Sequence, residues 1–412
     1  MTWTSLPVKA GLCAVVAAMV LVAGCSADPK ASGKGQRPTL ETVKYWGSFF
    51  GDQKGTNYDM HMSPTAVTVP GRVAEVGTSN STQYALLTDG SVYAWGLGTQ
   101  GQLGDGQRKN SLGKPVRVRF PAGVKIASIP ADVMPYDSGL AVDTKGRAWG
   151  WGANGGGELC LGNTRVYATP VRLPLPHVTA LAGASNHALY DSDGTVYACG
   201  QNVEGDLGDG SRTGSRTPVP VVGLDGAAVT ELVASFANSG ALLADGRYYD
   251  WGYDGNGQLG DGHVHRSSDI PVRVRLPDPV TQVAQGGSIW NNGQTLVMLS
   301  DGSLWGWGND WATQIGDGTR GIRPRPVRFQ APAGVTYQSL ATGSATSYAI
   351  TTTGQVYAWG VSHVGQVGDG LKTTVSAPVL VATGANAISA TANNVAISVP
   401  RMKRRHPGGA SA

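Results

Sequence analysis

Apolar and polar positions along this chain fall into short alternating runs that come in pairs. In YALLTDGSVYAW (84–95), HALYDSDGTVYAC (187–199) and SYAITTTGQVYAW (347–359), two apolar runs flank a small polar break. Asp-Gly between alternating runs predicts a β-hairpin, because glycine accepts the positive φ of a tight turn. Each hairpin leads into a twelve-residue glycine-rich marker, whose plainest copy is WGYDGNGQLGDG from Trp251 to Gly262. Further copies start at Trp95, Trp151, Cys199, Trp307 and Trp359, and a worn one starts at Trp46 (WGSFFGDQKGTN). After the marker comes a Pro-led run such as PVRVRF (115–120), PVRLPL (170–175), PVRVRL (271–276) or PVRF (326–329). Alternation of Val or Leu with Arg gives such a run one packed face and one wet face, and Pro at its head suits the start of an edge strand. A fourth short run, such as VAEVGTS (73–79) or VTALAGAS (178–185), completes a unit of four strands with no helical period.

The markers start 49, 56, 48, 52, 56 and 52 residues apart. A sustained period of that size predicts a solenoid or a propeller, and the chain ends decide between them. AISATANNVAISV (387–399) matches the run before each hairpin, yet no VYAWG follows it. The missing strand is VKYWG (43–47), which has no hairpin partner before it. The expected fold is therefore all-β: a seven-bladed β-propeller of four-stranded blades, closed where the N-terminal strand near Val43 pairs with the C-terminal blade near Ile397. Such closure removes exposed sheet edges.

The repeated Ala-Leu strand, DG turn, VYAWG and GxxGQLGDG resemble the regulator of chromosome condensation repeat, over roughly residues 40–399. That resemblance implies a seven-bladed propeller. The founding member of the family is a nuclear exchange factor for a small GTPase, whereas secreted bacterial members include a protein that caps β-lactamases with one end of its propeller. The units at 126–152 and 281–308 carry extra residues, so their loop conformations do not follow from the family.

Composition fits a turn-rich β protein, with 60 Gly in 412 residues and 15% charged side chains. The start of the chain changes the functional picture. One basic residue, Lys9, precedes an apolar run from Ala10 to Ala23 and then Val22-Ala23-Gly24-Cys25. The run is too short to span a bilayer and predicts an export signal; its end resembles a lipobox, which implies lipidation at Cys25. The expected domains are a lipoprotein signal peptide (1–24), a flexible tether (25–36), the propeller (37–400) and a basic disordered tail (401–412). The formal charge of +4 falls to about −1 once Lys9 and the tail cations Arg401, Lys403, Arg404 and Arg405 are set aside. A near-neutral body lacks the basic field that nucleic-acid binding requires.

The chain offers little reactive chemistry. His263 and His265 are two apart with no carboxylate at useful spacing, and Asp254-Gly-Asn-Gly-Gln departs from a calcium loop at Leu259 and His265. No GxSxG occurs. No metal, cofactor, catalytic residue or nucleic-acid partner is expected. Cys160 and Cys199 replace the Gly and the Trp of successive markers, which makes them a candidate disulfide in an oxidising compartment; two unpaired buried thiols are the alternative. Partner-binding candidates are the variable residues after Trp-Gly, which a ring places on one rim: Phe49, Phe50, Tyr253, Asp254, Asp310, Trp311 and His363. Packing between blades is the competing role for these positions, and it is the role expected of the recurrent Trp. The expected function is an extracytoplasmic, lipid-anchored, monomeric protein-binding module, a scaffold or inhibitor of an envelope enzyme, touching the membrane through its lipid alone. A propeller lyase or hydrolase acting on an envelope glycan or small molecule and a structural adhesin are the alternatives.

Overall fold

Strand pairing in a computed structural model places the repeated units around a ring. The structure describes residues 40–399 except 51–57, 131–134, 136, 185, 265, 288–292 and 392. The expected signal segment with Cys25, the expected tether and the basic C-terminal stretch lie outside the described residues. Within them, 28 strands form seven antiparallel sheets of four. Blades 2 to 7 are sequential, and blade 5 shows the pattern: Val229–Ala234, Asn238–Leu243, Tyr248–Tyr253 and Ser267–Arg273. First strands of neighbouring blades meet around the axis. Second strands are covered by a blade on each side, so TQYALL and TSYAIT are buried at every position. Fourth strands form the perimeter and are largely exposed.

Blade 1 closes the ring with strands from both termini, in the order Ala387–Ala390, Asn394–Val399, Glu41–Phe50, Tyr58–Val69. Val43 pairs with Ser398 and Lys44 with Ile397, as the orphan half-units predict. The seam to blade 2 is tied by side chains as well as packing. Glu41 accepts from the Val73 N–H at 2.9 Å, Ser389 Oγ from the Thr78 N–H at 3.0 Å, and Asn394 Nδ2 donates to the Asn80 carbonyl at 2.8 Å.

The Pro-led runs differ from expectation in one respect. The perimeter strands begin several residues before the proline, at Ser111, Tyr167 and Ser267. Pairing in blade 2 jumps from Gly96↔Ser111 to Ala94↔Val116, and blades 3 and 5 jump in the same way. Pro115, Pro170 and Pro271 therefore sit inside an irregularity of an edge strand. No ladder donor is needed there, so the missing N–H costs nothing.

Candidate functional site: the rim of marker loops

In blades 2 to 7 the marker leaves the third strand of its blade and forms a loop on one face of the ring. The loop is held from within. Asn154, Asn202, Asp254 and Asp310, third after the Trp position, accept from the N–H five residues on (Leu159, Leu207, Leu259 and Ile315) at 2.9–3.0 Å. Four residues further along, Gln102, Gln258, Gln314 and Gln366 accept through Oε1 from the N–H two residues before them. Blades 3 and 4 place Glu158 and Asp206 in that slot. Burial raises the Glu158 carboxyl and pushes that of Asp206 up to about 7.

The loop also joins blades. At five joints the indole N–H of the next blade donates to the backbone carbonyl of this slot: Trp151 to Gln102, Trp251 to Asp206, Trp307 to Gln258, Trp359 to Gln314 and Trp46 to Gln366, all at 2.8–2.9 Å. The last marker glycine donates to the perimeter strand of the next blade, as in Gly106 to Ala168, Gly210 to Asp269 and Gly262 to Pro324. Tenth in the marker stands a glycine at positive φ with the next tryptophan against it. A Cβ on Gly260 would lie 2.8 Å from the Trp307 ring.

At the joint between blades 3 and 4, that glycine is Cys160, itself at φ 57°, and that tryptophan is Cys199. The two form a disulfide with Cα atoms 5.5 Å apart, both buried in the core.

The structure divides the seven rim candidates. Asp254 and Asp310 are fully buried and clasp their own loops, so the expectation that they face a partner is corrected. Burial pushes the Asp310 carboxyl up to about 7, opposed by the Ile315 N–H. Tyr253 is half-buried, with its hydroxyl beside Gly255. Phe49 and Phe50 end the N-terminal strand opposite Asp59 and Tyr58, and their side chains lie outside the described residues. Trp311, with 62% of its surface exposed, and His363 stand outward at the same position of blades 6 and 7. Val203 of blade 4 shares that position and is 66% exposed, although nothing but its place in the repeat marks it in the sequence. The rim loops also carry a set of cations. Just beyond the last marker glycine, Arg108, Arg165, Arg212, Arg266, Arg320 and Lys372 are exposed in six consecutive blades. Four of them stand two residues past that glycine, and Arg165 and Arg266 stand three and four past it, so an alignment on the marker shows the set only in part. His263 is exposed beside Asp261, His265 lies outside the described residues, and among the described residues no three ligating side chains converge on a metal position.

These joints and this topology define a closed propeller built from one repeated unit. Models of the regulator of chromosome condensation (RCC1) repeat match residues 89–131, 193–237, 245–289 and 337–366. The chain carries RCC1 repeats, and its structure is the seven-bladed propeller of solved RCC1 proteins. It is similar to the ultraviolet-B receptor UVR8 of Arabidopsis thaliana, 30% identical over 285 residues, which is 68% of this chain and 62% of that one. It is also similar to the E3 ubiquitin-protein ligase HERC2 of Homo sapiens, 29% identical over 301 residues, which is 70% of this chain and 6% of that one. The chain thus spans less than two thirds of either relative. Among solved structures, human WBSCR16 superposes with a TM-score of 0.74 at 16% identity, covering 88% of this chain and all of that one. Prp20p from Saccharomyces cerevisiae, described with its binding properties to Gsp1p and histones, gives 0.73 at 20% identity, covering 89% and 92%.

Proposed function

We propose that this chain is a non-catalytic binding module, held by a lipid on Cys25 at the outer face of a cell membrane, whose marker-loop rim docks on another envelope or secreted protein. Its action on that partner is to scaffold or to inhibit. The observation that carries the reading is Trp311. Every other marker tryptophan of the described blades is buried between blades, whereas Trp311 is an additional one, placed on the loop and exposed. A large rigid side chain left in water on an otherwise committed loop is the usual anchor of a protein interface. RCC1-repeat propellers fit such a role, since Prp20p is described by what it binds. The receptor and ligase names of UVR8 and HERC2 are not carried over, because the chain spans only part of each. The export signal and lipobox pattern support the location.

The test is affinity capture from envelope extracts with the full chain and its Trp311→Ala and His363→Ala variants. The expected result is a discrete partner lost with Trp311→Ala at an unchanged melting temperature. A partner retained by that variant removes the rim from the account. Cys25→Ser should move the protein from the membrane fraction to the soluble exported fraction.

A further inference from the structure

The cations and the apolar side chains of blades 5 to 7 share one stretch of rim. The carboxylates of those loops are turned into their own turns. Asp261 accepts from the His263 N–H, Asp317 from the Thr319 N–H and Asp369 from the Leu371 N–H, at 2.8–2.9 Å, and Asp317 is further paired with Arg323 at 2.9 Å. The cations are placed differently. Arg266, Arg320 and Lys372 extend from the same loops into solvent, and Arg325 of the blade 6 perimeter strand lies against Gly262 of the blade 5 marker. Among the described residues none of these four is held in an ion pair. Two large apolar side chains, Trp311 and Leu371 at 62% and 56% exposure, stand on the same loops.

We infer that this stretch of rim takes an acidic polypeptide segment, with an apolar side chain seated against Trp311 and Leu371 and carboxylates paired with Arg266, Arg320, Arg325 and Lys372. The inference rests on the binding-module reading above and narrows its partner. Arginine offers a planar fork that matches a carboxylate. Free cations beside inward-turned carboxylates give a local field that the near-neutral body as a whole does not show, and such a field steers and selects an oppositely charged partner. The apolar pair decides between anions. A phosphate polymer has nothing to place against an indole and a leucine, whereas a polypeptide does.

The test is selection from a displayed library of random short peptides on the full chain in detergent micelles, followed by titration of a labelled selected peptide. The expected peptides are rich in Asp and Glu around an apolar residue, bind less tightly as salt is added, and shift the emission of Trp311. Joint replacement of the four cations by Glu should weaken binding at least about tenfold; replacement by Gln, a milder change, should weaken it in the same direction if the Glu variant does not fold. Neutral or basic peptides that still require Trp311 would overturn the acidic assignment and leave the rim reading standing. Peptides indifferent to Trp311→Ala would overturn both. Displacement of the peptide by inorganic polyphosphate, bound without dependence on Trp311, would overturn the polypeptide assignment in favour of a phosphate polymer.

Discussion

The joint between blades 5 and 6 and the joint between blades 3 and 4 solve one packing problem in two ways. In the first, Gly260 leaves room for the Trp307 indole, which packs on it and donates to Gln258 of the same loop. In the second, Cys160 and Cys199 occupy the glycine and tryptophan positions, and a disulfide spans the gap. The tryptophan joint is non-covalent and tolerates no Cβ. The cysteine joint loses the indole, its buried area and its hydrogen bond, and gains a cross-link. The marker is therefore first a joint between blades, and its outward residues are free to vary only where the joint does not use them. The joint into blade 2 is a third case. Trp95 Nε1 has no acceptor among the described residues, and residues 51–57 of the preceding marker lie outside them.

Either joint can be disrupted by itself. Trp307→Ala should show the largest effect, a loss of about 3–5 kcal/mol read by denaturant unfolding, because the cavity opens between two blades at once. Reduction of Cys160–Cys199, or Cys199→Ala, should cost about 3–4 kcal/mol for a loop of this length. The loss should appear in oxidised wild type on adding reductant and be absent from a variant lacking both cysteines.

Asp206→Asn isolates the carboxylate slot of blade 4. Among the described residues four blades carry Gln where blade 4 carries Asp206, whose carboxyl burial pushes up to about 7, above the unfolded value. A group raised in this way contributes its stability fully below the unfolded pKa and loses it as pH rises through about 7. Asp206→Asn should thus be near neutral at pH 4 and stabilising by about 1–3 kcal/mol above pH 7, measured as the difference in unfolding midpoint across that range.

The smallest effect is expected at Thr313. It stands at φ 61° where the corresponding loops have Gly101, Gly157, Gly205, Gly257 and Gly365. A β-branched residue is strained there, so Thr313→Gly should stabilise by about 0.5–1 kcal/mol after the entropy of glycine is counted.

Much of this was legible in the sequence because the repeat reports on itself. The period gave seven blades, the half-units at 43–47 and 387–399 gave the closing strand pair, and paired departures at Cys160 and Cys199 marked an exchanged joint. The site was less legible. Position within the marker does not say which way a side chain points, and variability and polar character place Asp254 and Asp310 on the surface. The signal that corrects them was present: the third residue after the Trp position is Asn154, Asn202, Asp254, Asp310 or Ser362, short polar side chains that bond the backbone of their own loop. Alternation puts Pro115 and its counterparts at strand starts, because a bulge leaves no trace in it.

The most direct measurement is the thermal stability of Cys160→Gly/Cys199→Trp, compared with Cys160→Ala/Cys199→Ala and with wild type, each with and without reductant. If the disulfide stands in for tryptophan on glycine, the Gly/Trp variant should melt near oxidised wild type, ignore reductant and exceed the double alanine variant by several degrees. A Gly/Trp variant no more stable than the double alanine variant would contradict the equivalence of the two joints.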